Sequence, residues 1–419
     1  MATIKKLFAE EVLNAKGYPV IEATVILSND ITASSSPPSG TSKGTYEAHE
    51  IIDDENRRYN GHGVLKAVEN VNNIIAPNLL DIDINNQQKI DKLMIELDGT
   101  KNKSKLGSNA ILSVSQAVAK AAAKKSSLPL YLYLRQFISN DNSPINYPTP
   151  LFVMLAGGKH ADSSIDFQEI LLVPSISKTL EEKIEIGVNI YHLLEHKLLE
   201  LGLSTLTSIE GGFSPNFSNN IEALRLIKDV IKNSSYKLSL DVSLGIDMAS
   251  TSFYKEKQYL LKDKTTPYNP EDLIDLYQKL ISNFNIIYME DPFSEDDWSS
   301  WQKGFKKLSH QSLIVGDDLT VTNSDRLKLA LSKNAINGII IKPNQIGTIT
   351  EAIEVVKTAR LNNLKVVVSH RSGETMDDFI ADFAIGVGAD YVKFGAPARE
   401  RVVKYNRLLK IKRELDQNP

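Results

Sequence analysis

Apolar positions in the second half of this 419-residue chain fall in short continuous runs, and each run ends in a charged or metal-ligating residue. Leu244-Gly245-Ile246 leads into Asp247, Ile286 to Met289 into Glu290, and Leu313 to Gly316 into Asp317. Gly338 to Ile341 leads into Lys342, Val366 to Ser369 into His370-Arg371-Ser372, and Tyr391-Val392 into Lys393. Continuous β-branched runs suit strands buried on both faces, as in a parallel sheet. Successive endings are 43, 27, 25, 28 and 23 residues apart, about one strand plus one helix each. Polar groups at the C-terminal ends of barrel strands are where barrel enzymes keep their chemistry. The pattern predicts repeated βα units with one functional rim.

The first half reads differently. Residues 4–33 alternate as strands, with a turn at Gly17-Tyr18-Pro19. Ser34 to Gly44 is rich in Ser, Pro and Gly, and reads as a solvated loop or as a lid that closes over a ligand. From Gly63 to Ala123 the spacing is helical, with Pro77 expected to stop the first helix and Asp98-Gly99-Thr100 marking a turn. An Ala-rich helix opens at Asn109 and ends near Lys124-Lys125. The aperiodic stretch from Ser139 to Pro150 predicts a boundary between domains 1–138 and 139–419. Two strands follow, Leu151–Leu155 and Phe167–Leu172, the second ended by Pro174. Thr179-x-x-Glu182 is a capping box, with Ile184, Val188, Tyr191, Leu194 and Leu198 on one face behind it and Gly202 as a C-cap. Two strands thus precede the first long helix, and βα alternation begins after Glu210-Gly211-Gly212.

Composition narrows the function classes. Hydrophobic residues make up 42% and charged residues 24%, ordinary for a soluble globular protein. A net charge of −4 with both signs interspersed gives no electrostatic support for nucleic-acid or membrane binding. No cysteine is present, which excludes disulfides, thiolate metal sites and a Cys nucleophile. The N-terminal residues do not form a signal h-region and no apolar run approaches the ~18 residues of a membrane span. A cytoplasmic enzyme is the expectation, with a surface or secreted pool left open.

Asp247, Glu290 and Asp317 offer three carboxylates on separate strand ends, an oxygen-only set that suits Mg²⁺. Lys342 and Lys393 share that rim. A lysine acts as a base only when its pKa falls from ~10.4 toward ~7–8, and a neighbouring ammonium or cation pushes it that way. The alternative is that each lysine merely pairs with a rim carboxylate. Arg371 and Ser372 offer donors for a phosphate. Glu169 and Glu210 are candidate acids, and His160 is a loop histidine that alone reads as a surface residue. Together these groups describe β-elimination of water from a phosphorylated hydroxy acid: a metal-stabilised enolate, a Lys base, an acid for the leaving group and an Arg for the phosphate.

At these residues the chain resembles the enolases along essentially its whole length. The resemblance rests on Arg58-Tyr59-Asn60-Gly61-His62-Gly63, Leu97-Asp98-Gly99-Thr100, Met289-Glu290-Asp291-Pro292-Phe293, Gly316-Asp317-Asp318-Leu319-Thr320, Ile341-Lys342-Pro343-Asn344-Gln345, Ser369-His370-Arg371-Ser372-Gly373-Glu374 and Gly395-Ala396-Pro397-Ala398-Arg399. It implies an α/β barrel that begins β-β-α-α and continues as repeated βα units, preceded by an N-terminal α+β domain. It also implies that Asp247, Glu290 and Asp317 bind a first Mg²⁺, and that Ser42 helps bind a second that arrives with substrate. Lys342 would take the C2 proton, and Glu210, aided by Glu169, would assist loss of the C3 hydroxide. Lys393 would face the substrate carboxylate, Arg371 and Ser372 would hold the phosphate, and His160, Gln168 and His370 would line the site. The family is usually dimeric, so a homodimer or higher homo-oligomer is expected. Departures from the family pattern fall in the loops: Lys43 in the lid, Lys159 beside His160, Ile209 before Glu210, and Asn14-Ala15-Lys16 at the early turn. Lys16 stands where the family has an Arg at its dimer contact, an exchange that is not conservative at a bidentate pair. Of the three around the site, Lys43 and Lys159 add positive charge and Ile209 removes negative charge. The expectation is either weaker catalysis on the usual substrate or a more anionic substrate. An enolase-like paralogue acting on a related phosphorylated or phosphonate acid, and an idle binding protein on the same fold, stay open as alternatives.

Overall fold

A computed structural model describes residues 2–40, 44–53, 58–138, 144–161 and 165–417. Near the N-terminus, β1 (Ile4–Leu13) and β2 (Pro19–Leu27) pair antiparallel, and β3 (Thr32–Ser35) adds to β2. The β1–β2 turn is held by Asn14, whose side-chain oxygen accepts from the Lys16 and Tyr18 amides at 2.9 and 3.1 Å. Gly17 takes a φ of +73° there, open to glycine without steric cost. The Ala-rich helix Ser108–Lys125 packs on β2 and β3. Nearly all of it is buried, because its other side meets the helices Pro343–Ile346 and Ile349–Leu361 of the second domain.

Two expectations here are corrected. Ser34 and Ser35 belong to β3, not to a loop, because Ser35 is buried and its hydroxyl bonds Gln116 and Asp377 at 3.0 and 2.7 Å. The helix before Pro77 does not stop at the proline. It passes through a π turn at Val71–Ile75 into Ala76–Leu79, where Pro77 occupies the first turn and needs no amide partner.

The second domain is a closed eight-stranded barrel. Its strands are β4 (Thr149–Ala156), β5 (Glu169–Pro174), β6 (Val242–Asp247), β9 (Ile286–Glu290), β10 (Leu313–Gly316), β11 (Gly338–Ile341), β12 (Lys365–Ser369) and β13 (Tyr391–Gly395). A two-stranded ribbon of β7 (Tyr254–Lys255) and β8 (Gln258–Tyr259) lies between β6 and β9. β5 runs antiparallel to both β4 and β6, and the other barrel pairs are parallel. The helices Leu180–Glu200 and Asn220–Lys232 follow β5, so the barrel opens β-β-α-α. β5 starts at Glu169, two residues later than the sequence suggests, and keeps Pro174 as its last residue. The helix Leu180–Glu200 has its capping box in place, but its buried face runs through Ile186, Gly187 and Ile190, leaving Ile184 and Val188 half-buried.

Although the strands are almost wholly apolar, they keep a period of two. Leu151, Val153, Leu171, Val173, Tyr288, Val315, Ile340 and Val367 fill the barrel interior as one cluster. Their neighbours, such as Leu244, Ile246, Met289, Ile339, Ile341 and Val368, face the surrounding helices. Gly245 leaves the space that the Tyr288 ring takes: a Cβ there would stand 3.1 Å from Tyr288 Cβ. Packing against the outer helices is as tight. A Cβ on Gly187 would lie 2.3 Å from the Phe152 ring, so Gly187→Ala should cost about 1–3 kcal/mol in urea unfolding with an unchanged m-value. A loss under 0.5 kcal/mol would show that the Leu180–Glu200 helix shifts freely on β4.

Candidate active site

The alternation that fills the barrel also builds its rim. Moving two residues beyond an inward core residue gives the next inward position: Tyr288 to Glu290, Val315 to Asp317, Ile340 to Lys342, Val367 to Ser369, Tyr391 to Lys393. On the reversed strand β5 the step runs backward, from Leu171 to Glu169. Register then sets Glu169 beside Asp247 and Asp247 beside Glu290. Three buried carboxylates therefore stand side by side at one end of the barrel.

Lys393 reaches across to all three. Its Nζ lies 2.8 Å from Glu169 Oε2, Asp247 Oδ2 and Glu290 Oε1. Burial acts against its charge, but Asp247, Glu169 and Glu290 outweigh burial and hold it well above the ordinary lysine value. Glu290 is pushed well up by burial and by the neighbouring Asp247 charge, and its other oxygen accepts from the Tyr288 hydroxyl at 2.8 Å. Gln168 donates to Asp247 at 3.1 Å.

Lys342 pairs with Asp317 rather than with this trio. Burial and the Arg371 cation act to lower its pKa, yet Asp317 holds it above the ordinary value. Gln345 donates to the other Asp317 oxygen at 3.1 Å. The loop behind Asp317 is strained. Asp291, Val321 and Thr322 have φ of 42°, 42° and 52°, values that non-glycine residues rarely adopt. Asp291 accepts the Asp317 and Asp318 amides at 3.0 and 2.8 Å, which fixes the loop. Burial and Asp317 push Asp318 up to about 7.

Glu169, Glu210, His160 and His370 form a second group. His160 Nδ1 lies 3.2 Å from Glu169 and 3.7 Å from Glu210, and His370 Nε2 lies 3.1 Å from Glu210. Burial raises Glu169, and the adjacent Glu210 charge adds to this. Burial also works against Glu210, but His160, His370 and a hydrogen bond with Glu169 hold it well below the usual carboxylate range. The two carboxyls are thus driven in opposite directions, Glu169 up and Glu210 down, as close carboxyls in unlike surroundings are. His370 is buried, which pulls it down to about 4, while Glu210 and Glu169 outweigh burial at His160 and raise it to about 8.

These two histidines act on stability with opposite signs. A raised His160 stabilises fully below pH 6.5, and its contribution of about 2 kcal/mol fades as pH rises through 8. A depressed His370 costs stability as pH falls from 6.5 toward 4. Denaturation across pH 4–9 should therefore show His160→Gln flattening the alkaline limb and His370→Gln flattening the acid limb. Equal flattening of one limb by both variants would contradict the assignment.

Arg371 is the third component. Its guanidinium makes a two-pronged pair with Glu47 of the N-terminal domain, at 2.9 and 3.2 Å, and donates to Asn344 at 3.2 Å. Burial opposes its charge, but Glu47 and Glu50 raise its pKa further. Backbone comes close on the same side: a Cβ on Gly40 would overlap the guanidinium. Thr45 donates to Glu295 at 2.7 Å, tying the segment after the lid to the barrel.

A cavity of about 180 Å³ joins the three groups, lined among others by Gly44, Lys159, Gln168, Glu210, Asp247, Asp317, Lys342, Arg371, Ser372 and Lys393. The structure thus gathers the sequence-derived candidates at one rim, with Glu290 beneath Lys393. Ser42 and Lys43 lie outside the described residues. Ile209 is half-buried beside Glu210. Among the described residues, Asp317 clusters with Asp291 and Asp318 rather than with Asp247 and Glu290. Glu47, Asp291 and Asp318 belong to the site without being among the sequence candidates. The last two sit inside the quoted Glu290 and Asp317 motifs, so their signal was present. Glu47 had none, because its partner lies 324 residues away.

Comparison with known proteins agrees with this architecture. The family model for the enolase N-terminal domain matches residues 4–134, and the model for the enolase C-terminal TIM barrel domain matches residues 144–419. The chain is similar to "Enolase" of Ehrlichia canis (strain Jake), 41% identical over 415 residues that cover 99% of this chain and 97% of that protein. With both domains matched in order and the relative covered nearly end to end, the chain belongs to the enolase family.

Proposed function

We propose that this protein is a Mg²⁺-dependent phosphopyruvate hydratase that interconverts 2-phospho-D-glycerate and phosphoenolpyruvate. The observation that carries the reading is that one cavity brings together a lysine, Lys342, a carboxyl pair, Glu169 and Glu210, both facing His160, and a cationic fork, Arg371 with Ser372. Lys342, once neutral, takes the proton from C2. The Glu169–Glu210 pair supplies a proton to the C3 hydroxyl, which leaves as water. Arg371 and Ser372 hold the phosphate, and Lys393 meets the substrate carboxylate.

The acids fit a divalent cation. Asp247, Glu290 and Asp317 are hard oxygen donors on neighbouring strand ends, the donor chemistry that Mg²⁺ takes. Mg²⁺ held there would stabilise the negative charge that develops on the substrate carboxylate as the C2 proton leaves. A second ion, held with the help of Ser42, would arrive with substrate.

The reading includes a cytoplasmic setting and a homodimer or larger homo-oligomer, both drawn from the family resemblance. No helix among the described residues is long and apolar enough to cross a membrane. A second reading, a paralogue taking a related and more anionic phosphorylated or phosphonate acid, is favoured by Lys159 on the cavity wall.

One assay separates them. Dehydration of 2-phosphoglycerate, followed by absorbance of the enol product, is expected with Mg²⁺ and is expected to vanish in chelator. A Mg²⁺-induced rise in melting temperature without turnover would favour the paralogue. The absence of both would leave a binding protein on the same fold.

A further inference from the structure

A fully buried arginine outside the cavity links two parts of the site. Arg401 belongs to the short turn Arg399–Arg401 after β13 and has no exposed surface. Its Nη1 donates to the Arg371 carbonyl at 2.8 Å, and its Nη2 donates to the Ser372 carbonyl at 2.8 Å and the Ile209 carbonyl at 3.3 Å. Arg371 and Ser372 form the proposed phosphate fork, and Ile209 immediately precedes Glu210. One planar group therefore spans the backbone of both loops.

Energetics point the same way. A buried guanidinium costs several kcal/mol of desolvation, and an apolar side chain of similar volume is often as stable or more so. Glu400 Oε1, 3.1 Å from Nε, offsets part of that cost. A lysine at this position would keep the charge but lose the fixed fork that reaches carbonyls in two directions. Two further bonds hold the Glu210 loop without reaching the fork, Ala396 N to the Glu210 carbonyl at 2.9 Å and Arg399 to the Ser208 carbonyl at 3.0 Å. The His370 ring, beside Arg371, meets the Glu210 side chain at 3.1 Å and not its backbone.

We propose that Arg401 is a positioning residue that sets the phosphate fork at a fixed distance from the acid Glu210, acting through the backbone carbonyls of Arg371, Ser372 and Ile209. This rests on the function proposed above. It predicts coupled damage, since both binding of the phosphate and delivery of the proton depend on the same spacing.

The test uses full-length Arg401→Lys and Arg401→Met. For 2-phosphoglycerate, kcat/KM should fall roughly 100-fold, with kcat lowered and KM raised together. The Mg²⁺-induced thermal shift should stay at the wild-type value. Amide hydrogen exchange should accelerate at residues 208–212 and 370–374 and not in the rest of the barrel. Kinetic constants within about threefold of wild type for Arg401→Lys would overturn the proposal, as would exchange that rises uniformly. If the wild-type chain does not turn over 2-phosphoglycerate, the functional reading fails. The exchange measurement still decides the coupling: acceleration confined to the two loops supports it, and any other pattern overturns it.

Discussion

Exchanging Lys342 for alanine is expected to lower kcat for 2-phosphoglycerate dehydration by about 10²- to 10⁴-fold, the range that a general base contributes. The more informative variant is Lys342→Arg. Lys342 is half-buried and paired with Asp317, which holds it above the ordinary lysine value. An arginine keeps a cation against that carboxylate, so the fold should hold, but a guanidinium does not deprotonate in proteins and cannot act as the base. Lys342→Arg should therefore melt within a few degrees of wild type while losing as much kcat as the alanine variant. A Lys342→Arg protein that retains a tenth of wild-type kcat would remove Lys342 from the role of base.

Removing the other lysine is expected to act first on stability. Lys393 lies 2.8 Å from three carboxylates that are themselves buried. Lys393→Met would leave them facing one another, and breaking a buried ion pair on one side typically costs 3–5 kcal/mol. Unfolding in chelator should show a loss of about that size. Saturating Mg²⁺ should return about 2–3 kcal/mol of it, since a ligand at a hundred times its Kd stabilises by about 2.7 kcal/mol. A Lys393→Met protein whose own stability is the same in chelator and in saturating Mg²⁺ would mean that the ion does not reach these carboxylates.

The sequence disclosed the rim for a physical reason. Glu290, Asp317, Lys342 and Lys393 each follow an apolar run, and a strand that is buried on both faces must become polar where it leaves the core. The two strands before the first long helix were readable in the same way, and so was the capping box at Thr179, a purely local device. What the sequence withheld was decided at long range. Ser35 looks like part of a flexible Ser-Pro-Gly stretch until Asp377 is placed beside it. Ile184 and Val188 fit the helical period as well as Ile186 and Ile190 do, and packing on β4 chose the latter. Glu47 is one acid among many until Arg371 approaches from the other domain. The pairing of Lys342 with Asp317 and of Lys393 with the other acids needed the closed barrel.

The contact between the domains also bears on how the chain is made. Lys120 is paired with Asp377 at 2.7 Å, Asp91 accepts from Thr350, and the buried Lys103 is paired with Glu351 at 3.0 Å. These partners stand 257, 259 and 248 residues apart. At about 5–20 residues per second, the N-terminal domain leaves the ribosome roughly 12 to 50 s before its partners exist. During that interval the Ala-rich helix Ser108–Lys125 shows a bare face and its anchoring charges are hydrated by water alone. The nascent domain is thus a stage open to chaperone capture, and the arrival of the helices Pro343–Ile346 and Ile349–Leu361 and of Asp377 ends that exposure.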